Sequence, residues 1–180
     1  MSAEELVDIV DENNTVIDTI TRKEMRQKKL PHRTSYIACC DRQGRFVVEV
    51  RTLSKDYAPG LLDACVGGVV QHGEDLTEAA KRELLEEIGI DADKESTDFY
   101  SLGSMKIMWA DGQHFFYGYL YLAITDSITV RQRSEVSGIM YLNKAELIEL
   151  KDVCARDSVI AFEEIIKRAQ DSNYLPSAVS

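Results

Sequence analysis

Glu83, Glu86 and Glu87 fall within one stretch of five residues. Three carboxylates so close together form either a solvated acidic surface or a seat for a hard cation. The stretch reads as a helix. Asp75 offers an N-cap with Glu78 three residues on, and Gly89 supplies the stop, which predicts a helix over Leu76 to Ile88. At about 100° per residue, Glu83 at zero puts Glu86 near 300° and Glu87 near 40°, so the acids share an arc of about 100°. Leu84, Leu85 and Ile88 are expected opposite, facing the core. Like charges at i,i+4 cost a few tenths of a kcal/mol on a helix, and a divalent ion reverses that sign. Mg2+ suits the arc, because it keeps several waters and bridges one or two carboxylates to substrate phosphates; Mn2+ is the alternative. Arg82 stands four residues before Glu86 and is placed to orient it. On the helix alone, an ordinary solvated face is the commoner outcome.

The flanking residues favour the cation. Gly67 and Gly68 permit close backbone approach ahead of the helix, and Gly73 and Glu74 continue the constellation. Upstream, Arg51 and Lys55 offer cations to phosphate oxygens, with surface charge as the other reading. Trp109, Phe115, Phe116 and Tyr117 could stack on a base, although aromatic residues in long strands usually bury.

The elements that must position these residues are legible as patterns. Leu6 to Val10 and Val16 to Ile20 flank a turn-rich Asp11-Glu12-Asn13-Asn14 and read as a hairpin. Thr21 with Glu24 is a capping box, so a short basic helix is expected to about Lys29. A second hairpin is expected from Tyr36 to Cys40 and Phe46 to Arg51. A loop from Thr52 to Gly60 and a short run from Leu61 to Val66 then lead to the glycines. Asp98 to Trp109 and Gln113 to Thr125 read as long strands about Asp111-Gly112, with a further strand from Ile139 to Leu142. Asn143 caps another helix, and Val159, Phe162, Ile166 and Ala169 mark an amphipathic last one. Strands, helix, strands, helix in this order imply a mixed α/β (α+β) sandwich. Three segments are expected: a hairpin-helix extension over 1–34, the main domain over 35–163, and the end of the last helix with a flexible tail over 164–180.

The chain has 180 residues, 44% apolar and 29% charged, which suits one domain with an appendage. Twenty-one basic against thirty-one acidic side chains give a charge of -10, which repels long nucleic acid. A small phosphorylated substrate would need a cation to offset that repulsion. The acidic start lacks the pattern of a secretory signal, and each apolar stretch stops far short of the roughly 20 residues a bilayer requires. Cys39, Cys40, Cys65 and Cys154 show no disulfide or zinc spacing and read as buried thiols in a reducing cytoplasm.

Gly68, then Glu74, then Arg82-Glu83-Leu84-Leu85-Glu86-Glu87-Ile88-Gly89-Ile90, spread over twenty-three residues, resemble the Nudix signature at every specified position. The resemblance implies the Nudix α/β/α sandwich with a mixed sheet, and hydrolysis of a nucleoside diphosphate linked to another moiety. By position it implies that Glu83, Glu86 and Glu87 are metal ligands, that Gly67 or Gly68 lends a backbone carbonyl, and that Glu74 and Arg82 are organisers. The family's catalytic base varies in location and is either a signature glutamate or an acid in a later loop; Glu135 is the downstream candidate. Nucleotide sugars, dinucleotides, oxidised nucleotides and isoprenoid diphosphates all stay open as substrates, and a homodimer through the N-terminal hairpin is open as well.

Arg51, Lys55, Pro59 and Gly60, with the hairpin and Leu30-Pro31-His32, also resemble the isopentenyl-diphosphate isomerase branch of that superfamily. That branch uses a Cys-Gly-His run where this chain has Val66-Gly67-Gly68, and Cys65 is one residue out of register, which is expected to turn it to the other face. Of the histidines expected there only His32 is present, and a surface histidine is its other reading. A hydrolase is therefore favoured over an isomerase-like enzyme and over a catalytically silent ligand-binding module.

Overall fold

The computed structural model describes residues 4–94 and 96–179. The first three residues of the acidic start, and Ser180 at the end of the tail, lie outside the described residues. Strands β1 (Leu6–Val10) and β2 (Val16–Thr21) form a separate two-stranded sheet. Asp11 closes their turn by accepting the backbone N–H groups of Asn13 and Thr15 at 2.8 and 2.9 Å. Helix α1 (Arg22–Lys28) follows at once, its first turn capped by Thr21, whose hydroxyl accepts the Glu24 N–H at 3.2 Å. Val7, Ile9 and Met25 form a small core of their own against Val69.

Strands β3 (Arg33–Cys40), β4 (Phe46–Arg51), β5 (Leu62–Asp63), β6 (Thr97–Met108), β7 (Phe115–Thr125) and β8 (Val136–Leu142) make one mixed sheet. Its order is β5-β4-β3-β7-β6, with β8 also pairing β4. The central pair β3 and β7 is parallel, from Arg33 opposite Tyr117 to Cys40 opposite Ile124, and the other pairings are antiparallel.

Alternation along the central strands sends side chains to two faces. Tyr36, Ala38, Leu120, Leu122 and Ile124 meet Phe162, Ile165 and Ile166 of helix α4 (Arg156–Asp171) on one side. Ile37, Cys39, Tyr121 and Ala123 meet Ala80, Leu84 and Ile88 of helix α2 (Leu76–Ile88) on the other. A sheet covered on both faces explains why β3 is buried along nearly its whole length. Helix α3 (Lys144–Glu149) opens on the expected Asn143 cap, here a full capping box with Glu146.

Two expectations change. The tail predicted to be flexible is placed against the domain: Tyr174 stacks on Tyr100 with centroids 4.1 Å apart, and Leu175 and Val179 join the α4-side core. Its apolar residues are too sparse to show periodicity, yet they supply enough surface to dock. The run from Leu61 to Val66 is strand only at Leu62–Asp63. Beyond it the chain leaves the period-2 geometry, so Cys65 lines the cleft described below instead of turning away. Its Sγ donates to the Ser158 carbonyl at 3.6 Å, and burial pushes its thiol pKa well up.

Candidate active site

Helix α2 holds the predicted acids from both ends. Asp75 caps it by accepting the Thr77 and Glu78 N–H groups at 2.9 and 3.1 Å, and Gly89 in the left-handed region ends it. The expected faces are corrected. Leu85 is 52% exposed, whereas Glu83 and Glu87 are 2% and 4% exposed and lie on the packed side with Leu84 and Ile88. Around the helix the buried arc runs from Glu83 at zero through Glu87 near 40° and Leu84 near 100° to Ile88 near 140°, which leaves Leu85 and Glu86 outside. Two of the three glutamates thus point inward, a costly position for charge unless something repays it.

Their surroundings are specific. Glu87 Oε2 accepts the Gly67 backbone N–H at 3.3 Å, and its Oε1 is 3.4 Å from Lys55 Nζ. Lys55 also pairs with Glu135, so it bridges α2 and the loop before β8. Arg82 binds Glu74 in bidentate fashion at 2.6 and 3.0 Å, and reaches Glu83 at 2.8 Å and Glu86 at 3.2 Å. Glu86 is half-exposed. Gly67 has φ 151°, and a Cβ there would stand 2.1 Å from the Ser35 carbonyl oxygen, so only glycine lets this loop pass beneath Glu87. The Gly68 carbonyl is taken by the Ser35 N–H at 2.9 Å, which leaves Gly67 as the better candidate of the two for a carbonyl ligand.

Burial and like charge set the protonation of the group. Burial, then the neighbouring Glu87, pushes the Glu83 carboxyl up to about 8. Burial pushes Glu87 to about 7 against the opposing pull of Lys55. Glu135 goes the other way: burial is outweighed by Lys55, which holds its carboxyl below the usual range.

Sequence patterning missed a fourth acid. Glu49, on β4, is 3% exposed, faces the α2 side beside Glu87, and its Oε1 has no hydrogen-bond partner. Burial and then Glu87 raise its carboxyl well above the usual range. The signal was a single acid inside the run FVVEVR, where an apolar residue would continue the buried strand.

A cleft opens beside these acids, lined by Arg51, Lys55, Tyr57, Gly67, Trp109 and Phe116 among others. Arg51 is firmly held: Nη1 donates to Asp63 at 2.5 Å, Nη2 to the Tyr57 carbonyl at 2.8 Å, and Nε to the Tyr57 and Ala58 carbonyls at 3.2 Å. Phe115 and Tyr117 are not among the lining residues, as the alternation of β7 requires. His32 is buried, its Nδ1–H donating to the Leu30 carbonyl at 2.8 Å and its ring stacked on Phe116 at 5.3 Å, and burial lowers its pKa to about 4. It is a cleft-wall residue, not a surface histidine.

The donor set fits a hard divalent ion. It is all oxygen, rich in carboxyl groups, largely buried, and contains an unpartnered carboxyl oxygen at Glu49. Among the described residues no three His, Cys, Asp or Glu side chains form a ready-made cage. Mg2+ does not require one, because water and substrate phosphate complete its coordination.

The family model described as NUDIX domain matches residues 30–162. The chain is 37% identical to "Uncharacterized Nudix hydrolase YfcD" of Shigella flexneri, covering 93% of this chain and 90% of that protein. It is 36% identical to the protein of the same description from Escherichia coli K12, with the same coverage. Its fold resembles that of DR0079 from Deinococcus radiodurans, with TM-score 0.69, 24% identity, and 91% and 98% of the two chains covered. It also resembles the NUDIX domain of Shewanella oneidensis NrtR, solved with ADP ribose, with TM-score 0.62, 17% identity, and 83% and 99% covered.

Proposed function

The chain belongs to the Nudix family of hydrolases, which act on pyrophosphate bonds, and on that premise we propose that it is a Mg2+-dependent pyrophosphohydrolase. Its substrate is a nucleoside diphosphate linked to another moiety. The observation that carries this reading is the burial of Glu83 and Glu87 beside Gly67, at the edge of a cleft that also presents Lys55 and Arg51. An ordinary solvated acidic face would leave both carboxylates in water.

Glu83, Glu86 and Glu87, with the Gly67 carbonyl, would hold the ion, which when bound activates a water and neutralises charge on the diphosphate. Arg82, clamped by Glu74, fixes the directions of Glu83 and Glu86. Lys55 stands between Glu87 and Glu135 and is placed to move onto a phosphate oxygen. Glu135, kept ionised by that lysine, then takes the proton of the attacking water. Arg51 acts as a cation of fixed direction toward the diphosphate, its geometry set by Asp63. Trp109 and Phe116 give the linked group an aromatic wall.

A cytoplasmic setting fits four buried, unpaired cysteines. No helix among the described residues is long and apolar enough to cross a membrane. Leu6, Val16 and Ile17 expose apolar side chains on the hairpin, which supports a homodimer through that surface. The ADP ribose of the Shewanella domain makes nucleoside diphosphate sugars sensible first probes. Release of nucleoside monophosphate from a panel of such compounds, with Mg2+ and with excess chelator, tests the reading. Hydrolysis of at least one compound that stops in chelator is expected; full activity in chelator contradicts it.

A further inference from the structure

Helix α1 lies before residue 30, where the family match begins, yet it forms a wall of the cleft. Residues 22–29, RKEMRQKK, carry five of the chain's twenty-one basic residues and one acid, in a protein of net charge -10. Arg22 and Arg26, one turn apart, both line the cleft, and both also line a neighbouring depression with Lys23, Gln27 and Asp56. The helix therefore separates the cleft from the outer surface. It is fixed in place by Met25, fully buried in the extension's own core, and by Lys29, whose Nζ is 2.8 Å from Asp111 on the β6–β7 turn.

Arg26 is the unsatisfied member. Its guanidinium lies 5.7 Å from the centroid of Tyr57, and that of Arg51 lies 5.9 Å from the same ring. Arg51 is neutralised by Asp63. The Arg26 guanidinium forms no hydrogen bond or ion pair among the described residues, and its Nε is buried without a partner. The acids near it are Asp157 and Asp56. Asp157 is already occupied by the hydroxyls of Tyr36 and Tyr57 at 2.5 and 2.8 Å, and Asp56 lies in the outer depression. Lys55 contacts Glu87 directly, whereas the charged groups that act most strongly on Arg26 are Arg22, Asp56, Arg51 and Asp157. Lys55 and Arg51 thus serve the end of the cleft at the acids, and Arg26 serves the far end.

We infer that Arg26, with α1 as its mount, is a specificity-determining cation that binds a further phosphate carried beyond the scissile diphosphate. The inference rests on the hydrolase reading for the word substrate, but the site itself can be tested without turnover. A partly buried guanidinium short of acceptors gains about tenfold or more in affinity from one charge-assisted phosphate contact. A diphosphate that ends in a neutral group does not reach it.

Inorganic tripolyphosphate and inorganic pyrophosphate are the probes, titrated with and without Mg2+. Binding is read by isothermal calorimetry and by the fluorescence of Trp109, the one tryptophan, which lines the same cleft. The wild-type chain is expected to bind tripolyphosphate at least tenfold more tightly than pyrophosphate. Arg26→Ala should abolish most of that difference and leave pyrophosphate affinity within about twofold, and Arg26→Lys should restore part of it as a point charge. Circular dichroism confirms that each variant is folded. Failure of either probe to bind, equal binding of the two by wild type, or an equal loss for both in Arg26→Ala overturns the inference. Discrimination without any diphosphate hydrolysis would keep the subsite and remove the hydrolase; hydrolysis without discrimination would do the reverse.

Discussion

In the proposed reading Glu83 and Glu87 carry the chemistry, and the fold puts both where carboxylates are unstable as anions. Their raised folded-state pKa values, about 8 and about 7, have a thermodynamic consequence. Between the unfolded value near 4.5 and these folded values the native state binds more protons than the unfolded chain, so metal-free stability falls as pH rises through that window. His32 acts oppositely, but only between about 4 and its ordinary 6.5. In chelator, the urea midpoint is therefore expected to fall by the equivalent of a few kcal/mol from pH 6.5 to 9, and saturating Mg2+ should remove that fall. A midpoint independent of pH over this range would mean that the two carboxylates are hydrated. The three α2 glutamates were legible from spacing and Arg82 from its offset. Glu49 was not, because one acid in an apolar strand gives no period, and its role depends on Glu87 arriving from a segment nearly forty residues on.

At the scale of elements, caps and turns were the most legible features, since Asp75, Gly89, Thr21 and Asn143 act within a few residues of themselves. What the chain could not display locally is the parallel pairing of β3 with β7, set by contacts between segments some eighty residues apart. The orientation of α2 was half legible. The wheel placed Glu83 and Glu87 side by side, but it set them with Glu86 opposite Leu84 and Ile88, whereas which side of the helix meets the sheet depends on where β3 and β4 lie. The loop between β5 and α2 is the junction at which element geometry controls the site. Gly67→Ala is expected to lower stability by about 1–3 kcal/mol from the positive φ alone, and more from the 2.1 Å approach to Ser35. It should also reduce turnover at temperatures where the variant is still folded, because the N–H that Glu87 accepts is displaced. Unchanged denaturation and unchanged rate would show that this loop does not constrain Glu87.

For the molecule as a whole, the order of elements implied a mixed α/β sandwich, the family resemblance implied its α/β/α layering, and the burial of the central strands on both faces shows that layering. The extension and tail were the least legible parts, because each docks through a few residues: Met25 and Lys29 for one, Tyr174, Leu175 and Val179 for the other. In the proposed account an apolar helix face brings buried acids to the edge of the cleft, and that claim separates function from stability in one substitution. Glu87→Gln keeps the helix, since glutamine and glutamate have similar propensities. It removes one charge of the proposed ligand set, and it also removes a buried carboxyl beside Glu49, Asp63 and Glu135 at the cost of the Lys55 contact. The direct measurement is kcat in Mg2+ together with the melting temperature in chelator at pH 8, for wild type and Glu87→Gln. A fall in kcat of about 10²- to 10⁴-fold, with an equal or higher metal-free melting temperature, is the expected result. Retained activity with a lower metal-free melting temperature would contradict the account, because Glu87 would then be a structural partner of Lys55 and no part of a metal site.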